Sequence, residues 1–173
     1  MVLVFAESQK GKFKKSAFEA VTFGYKTAEV LGMECAALTL GSVSGAEELG
    51  KYGASKIYNV TDESLDSFDS QVYATVIADA AQKLGAKVVI VNHSADGKSI
   101  LGRLAVRLNA GSVAGVNSIP RMDGGTFKVK KPVFSGKAFA DFEVKSDVKV
   151  LSLMNNSFQP AESGSAGTVE KLD

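Results

Sequence analysis

The chain has 173 residues, 45% of them hydrophobic and 23% charged, and its 20 Lys and Arg against 19 Asp and Glu leave a formal net charge of +1. A single domain of this size buries a sizeable core, and the balanced charge offers no basic face for nucleic acid or an anionic membrane. One cysteine, Cys35, and one histidine, His93, exclude an internal disulfide and a Cys/His metal cage, and no apolar run approaches the roughly 20 residues of a membrane-spanning helix.

Val2 to Ala6 is a continuous apolar run, the pattern of a strand buried on both faces. No basic region precedes it, so it does not read as a signal peptide, and the cytoplasm is the expected compartment. After the polar turn Glu7–Lys12 a helix is expected from about Ser16, which can cap it. Phe18, Val21, Tyr25 and Ala28 then fall on one helical stripe, and Gly32 stops the helix. Cys35–Leu40 reads as a second strand, Ala46–Lys51 as a short helix and Lys56–Val60 as a third strand. The Asp- and Ser-rich stretch Thr61–Ser70 leads into a helix ending near Gly85, with Tyr73, Ile77, Ala80 and Leu84 on one side. Val88–Val91 is the next buried strand, Gly97–Asn109 the next helix, and a fifth strand falls within Val113–Ile119. Strands alternating with helices predict βαβ crossovers and a parallel sheet with helices on both faces.

The pattern changes after Pro120. Met122–Gly125 and Ser135–Gly136 are turns, and Thr126–Phe134, Lys137–Val144 and Val148–Met154 read as extended segments, expected as antiparallel strands added at one edge of the sheet. Phe134, Phe139 and Phe142 are large apolar groups for such a hairpin, facing either the domain's own helices or another subunit. Lys128, Lys130 and Lys131 read as the solvated face of an edge strand. From Asn155 the composition is that of a flexible linker, which places a domain at residues 1–156 and a linker at 157–173.

One stretch imitates a phosphate-binding loop. Asn92-His93-Ser94-Ala95-Asp96-Gly97-Lys98-Ser99 lies between a strand and a helix and nearly matches G-x-x-x-x-G-K-[ST]. Asn92 replaces the first glycine, and Asp96 puts a carboxylate where phosphate would sit. The simpler reading is that Asp96 or Ser94 caps the helix. Gly97, Lys98 and Ser99 stay as weak anion-loop candidates through the helix N-terminus. No G-x-G-x-x-G follows the first strand, and Gly41–Gly45 reads as a capping loop before it reads as a phosphate contact. His93, at the carboxyl end of a parallel strand, lies where such sheets place ligands, and Cys35 reads as a small core residue. No acid, base and nucleophile come together, so no catalytic residue and no metal ligand is assigned; the residues describe a carrier or binding domain.

Three stretches, in this order and spacing, resemble the alpha subunit of electron-transfer flavoproteins. They are Val2-Leu3-Val4-Phe5-Ala6-Glu7 followed by Gly11-Lys12-Phe13; Ser94 to Ala105; and Lys130-Lys131-Pro132-Val133-Phe134-Ser135-Gly136-Lys137-Ala138. Departures from the family pattern are Lys131 for Arg, Phe134 for Tyr, Lys137 for Asn and Gly102 for Pro. The resemblance implies the N-terminal domain of that subunit, a nucleotide-binding fold of the adenine-nucleotide-hydrolase-like kind. It further implies a beta-subunit partner and an FAD that passes electrons from dehydrogenases to a downstream acceptor. In that family the flavin is held chiefly by a C-terminal domain, so no flavin-binding residue is expected here. The alternative is a stand-alone adenine-nucleotide-binding protein of the same fold group, using the loops around Gly41 and Gly97.

Overall fold

The computed structural model describes residues 1–173. The elements in chain order are β1 (Val2–Phe5), a two-strand clip β2 (Ser8–Gln9) and β3 (Lys12–Phe13), α1 (Lys15–Leu31), β4 (Cys35–Leu40), a 3-10 stretch (Ala46–Tyr52), β5 (Lys56–Val60) and a second 3-10 turn (Glu63–Asp66). They continue with α2 (Ser70–Lys83), β6 (Val88–Asn92), α3 (Ala95–Arg107), β7 (Gly111–Val116), β8 (Arg121–Asp123), β9 (Thr126–Val133), β10 (Ala138–Val144), β11 (Lys149–Leu153) and β12 (Thr168–Lys171). Seven strands form one parallel sheet in the order β12-β5-β4-β1-β6-β11-β7.

The strands are apolar on both sides because both sides are covered. Val2, Val4, Cys35, Ala37, Val88 and Ile90 point to the layer containing α1 and the 46–52 stretch. Leu3, Phe5, Ala36, Leu38, Val89 and Val91 point to α2 and α3. The expected helix stripes are the buried faces, although α1 starts at Lys15 with Lys14 at its cap position and no side-chain cap, so Ser16 does not cap it. Gly32 ends α1 in the left-handed conformation, at φ 62°. Where α1 crosses the sheet, a Cβ on Gly24 would lie 2.2 Å from Val4 Cγ2, so only glycine lets the helix come this close.

Two expectations need correction. The segment read as Val148–Met154 is not an antiparallel addition. As β11 it runs parallel inside the sheet, between β6 and β7, with Val150, Leu151, Ser152 and Leu153 all buried. Sequence neighbours usually pair, but here β8, β9 and β10 make a separate antiparallel sheet beside β7, and the chain then returns to the centre.

The second correction concerns residues 157–173, which do not run free as a linker. The Asn156 N–H donates to Glu19 Oε2 (3.0 Å), Phe158 packs edge-on against Phe23 with ring centroids 5.3 Å apart, and the Ala161 N–H donates to Thr22 Oγ1 (3.2 Å). Thr168–Lys171 then pairs with Lys56–Asn59 as the edge strand. The glycines that read as flexible are there for clearance: a Cβ on Gly50 would lie 2.1 Å from the Gly167 nitrogen, and one on Gly167 would lie 2.2 Å from Ile57 Cδ1.

Deleting residues 157–173 therefore removes a sheet strand, the Phe158 ring and the buried Leu172. Urea unfolding is expected to show a loss of about 2–5 kcal/mol, the scale for emptying a large buried apolar site. An unchanged midpoint would restore the linker reading.

Candidate functional site

In an open parallel sheet, ligands gather at the carboxyl ends of the strands, where the strand order reverses. Here the chain runs outward from β1 to β4 and β5, then returns to place β6 on the other side of β1. The loops after β1 and β6 leave toward opposite layers, α1 on one side and α3 on the other. A cleft of about 420 Å³ opens here, with Phe5, Glu7, Ser42, Asp66, Tyr73 and Asp96 in its walls.

The Ser42 donors in its wall are already taken. The Ser42 N–H and hydroxyl both donate to the Asp66 carboxylate, at 2.6 and 3.1 Å. The turn holding Asp66 is started by Asp62, whose carboxylate accepts the Ser64 N–H at 2.9 Å. Gly41, at φ 76°, leaves room for this contact, since a Cβ there would come within 2.7 Å of Asp66 Oδ1. The Ser44 N–H donates to the Gly11 carbonyl at 2.9 Å, so the 41–45 loop closes on the protein itself. Three carboxylates, Glu7, Asp66 and Asp96, face one lysine, Lys10, around the cleft. Burial raises the Glu7 carboxyl above its ordinary value; a hydrogen bond from Ser94 opposes the shift and the Asp96 charge adds to it.

The imitation phosphate loop is a helix start. Ser94 caps α3, its Oγ accepting the Gly97 N–H at 3.0 Å and donating to Glu7 Oε2 at 2.6 Å. Asp96 lies in the first helical turn and does not cap. A Cβ on Gly97 would lie 1.8 Å from the Asn92 carbonyl oxygen, so this glycine exists to let α3 touch the end of β6. The Lys98 N–H is spent on the Ser94 carbonyl (3.0 Å), the Ser99 hydroxyl donates to the Asp96 carbonyl (2.7 Å), and both side chains lie on the exposed surface.

His93 lies on the far side of the switch point. Ser152 Oγ, fully buried, accepts the Gly115 N–H (2.9 Å) and lies 2.8 Å from His93 Nδ1. The Ser152 proton has only Nδ1 to bond, so Nδ1 accepts and the ring proton sits on Nε2. Gly115 bulges β7 at this point, shifting the β11–β7 register between Leu151 and Leu153. Burial lowers the His93 pKa, and Lys98 and Lys131 lower it further. Of the remaining candidates, Cys35 is a buried thiol that burial pushes up to about 12, and Lys128 pairs with Asp123 at 2.7 Å. No three His, Cys, Asp or Glu side chains are grouped to hold a metal ion, and no helix is long and apolar enough to cross a membrane.

Sequence reasoning singled out the right loops but missed their occupants. Asp66 and Glu7 read as loop carboxylates. The available signal was the pairing of a positive-φ glycine at 41 with a capped acidic turn at 62–66.

Comparison with known proteins places this arrangement. The family model described as the electron transfer flavoprotein domain matches residues 2–173. The chain belongs to this family. It is 27% identical over 177 residues to the electron transfer flavoprotein subunit alpha of Bacillus subtilis, covering 99% of the chain and 53% of that protein. It is 31% identical over 141 residues to Protein FixB of Clostridium saccharobutylicum, covering 80% and 42%, and 26% identical over 171 residues to a probable mitochondrial alpha subunit of Caenorhabditis elegans, covering 97% and 49%. The chain spans about half the length of the curated relatives it matches.

The imidazole geometry makes a direct prediction. NMR titration is expected to give His93 the Nε2–H tautomer and a pKa below its ordinary 6.5, moving back up in Lys131→Met. The unfolded chain takes up this proton first, so the contribution of neutral His93 to stability is present above about pH 6.5 and declines as pH falls through the lowered native value. An Nδ1–H tautomer, or a pKa at or above the ordinary value, would contradict the assignment.

Proposed function

We propose that residues 1–173 are the amino-terminal scaffold of the alpha subunit of a flavin electron carrier. In this reading a beta-type subunit joins it, and the assembled protein carries electrons on FAD from dehydrogenases to a downstream acceptor. The observation that carries the proposal is the family match across residues 2–173, to proteins about twice as long whose names are those of alpha subunits. The chain's role is to position other parts, and it has no reaction of its own.

The residues present do not fit a flavin dinucleotide. A pyrophosphate needs free backbone N–H groups and a positive surround. The cleft instead presents Glu7, Asp66 and Asp96, and Asp66 already accepts the Ser42 N–H. The same observation weighs against a stand-alone adenine-nucleotide-binding protein. FAD is therefore assigned to the complete protein, outside residues 1–173, and the anion-loop role of Gly97, Lys98 and Ser99 is set aside.

Two measurements test this. Purified residues 1–173 are expected to be colourless after gentle isolation, and stoichiometric absorbance in the flavin bands would refute the assignment. Calorimetry is expected to show negligible ATP binding, unchanged in Lys98→Ala. Micromolar binding lost in that variant would revive the nucleotide-binding alternative.

A further inference from the structure

A second cleft opens at the opposite edge of the sheet, where the strands begin. It lies between the end of α1 and the base of the small antiparallel sheet, and its volume is about 440 Å³. Leu31 and Met33 bound it on the α1 side, Met122 and Thr126 on the other. Its floor is core: Val88, Phe127 and Val144 are buried and belong to the cluster that α1 covers. The volume falls within the range of small-molecule sites, about 300–1,000 Å³. Over such an apolar floor ordered water finds few polar partners.

The mouth carries two apolar side chains that the fold leaves in water, Met33 at 39% exposure and Met122 at 45%. They stand on different elements, one in the turn after α1 and one in β8. The backbone under Met33 is fixed by the end of the helix, where its N–H donates to the Ala28 carbonyl at 2.9 Å. An unbranched thioether with three rotatable bonds moulds itself to an apolar guest better than a branched chain does. A rigid apolar floor between two adaptable side chains suits a guest with a slender apolar body.

Charge describes the other end of that guest. The charged side chains lining the cleft are Lys87, Glu143, Lys145 and Lys149, and three of them are compensated. Lys87 pairs with Asp147 at 2.6 Å, and Lys145 with Glu143 at 3.6 Å. Lys149 has no carboxylate partner. Its Nζ lies 5.6 Å from the centre of the Phe127 ring and donates to the Asp147 carbonyl at 3.0 Å. That single bond leaves two of the three ammonium protons without a protein acceptor. The cleft therefore offers one uncompensated positive charge beside an apolar floor. A neutral guest would leave Lys149 as it is, and a second negative charge would meet Glu143. An apolar body with one negative head matches both features.

We propose that this cleft binds a small amphipathic carboxylate, with its head on Lys149 and its apolar body over Phe127 and Val144, between Met33 and Met122. The site is separate from the cleft at the carboxyl edge and does not depend on the function proposed above.

The test uses the natural polypeptide containing residues 1–173, in the assembly it forms, with decanoate as the probe. Met33, Met122 and Met154 each give one NMR signal when methionine methyls are labelled with carbon-13, assigned by Met→Leu substitution. Decanoate is expected to shift Met33 and Met122 saturably and to leave Met154, at the carboxyl end of β11, unmoved. Lys149→Met keeps an apolar stem over Phe127 and removes the charge. It is expected to weaken decanoate binding at least about tenfold while leaving the binding of decanol, the uncharged analogue, unchanged. Met33→Trp, which fills the mouth from an exposed position, is expected to abolish the Met122 shift with no change in melting temperature. Absence of shifts at millimolar decanoate would overturn the site, as would an equal shift of Met154. Equal affinity in Lys149→Met would overturn the anionic head. Shielding of both methyls from a soluble nitroxide before decanoate is added would show that polypeptide already fills the cleft, and would overturn the small-molecule occupant.

Discussion

Helix α3 starts so close to the end of β6 that no side chain fits between them, and the carboxyl edge of the sheet is organised around that contact. With Gly97 pressed onto the Asn92 carbonyl, Ser94 stands in position to cap the helix and to reach Glu7 at the end of β1. His93, one residue before, is turned onto Ser152 and the Gly115 bulge, which ties β6 to β11 and β7. On the other side Asp66 closes the loop after β4. Several of the groups that such a sheet offers to a ligand are thereby bonded within the protein, while Asn92 Oδ1 at the end of β6 is buried without a partner.

Most of the architecture was legible because a buried parallel sheet writes itself as short apolar runs. Cys35–Leu40 and Lys56–Val60 are strands to the residue. The misplacement of β11 came from assuming that neighbours in sequence remain neighbours in space. Its composition, Val-Leu-Ser-Leu, was that of a buried strand, and the tight turns before it belonged to an excursion from the sheet. Gly97-Lys98-Ser99 illustrates the limit for sites. A glycine needed for close packing and a glycine needed to admit phosphate look alike in sequence, and only the 1.8 Å approach to Asn92 separates them.

The tail shows the same ambiguity in composition. Ser-Gly-Ser-Ala-Gly signals flexibility only if nothing approaches it, whereas here Gly50, Gly164 and Gly167 meet backbone to backbone. A better signal lay 137 residues earlier. Glu19 is 1% exposed in the middle of an otherwise apolar helix face, and a buried carboxylate needs donors. It finds the Asn156 N–H at one oxygen, with Lys15 Nζ 3.4 Å from the other. Thr22, one turn along, receives the next stretch of tail. Polar residues out of place on α1 thus specify the path of residues 156–161, which local propensity could not.

These closures also explain where apolar surface is left over. One edge of the parallel sheet is finished by β12, whose Glu170 pairs with Lys56 and whose neighbouring Lys171 adds a second charge to the rim, a composition that discourages strand addition. The other edge, β7, is flanked by the small antiparallel sheet. With the carboxyl-edge loops bonded internally and both sheet faces covered by helices, the fold itself requires nothing of Phe134, Phe139 or the outer half of the ribbon. Phe134 and Phe139 stay in water, Phe134 on a left-handed backbone at φ 51°.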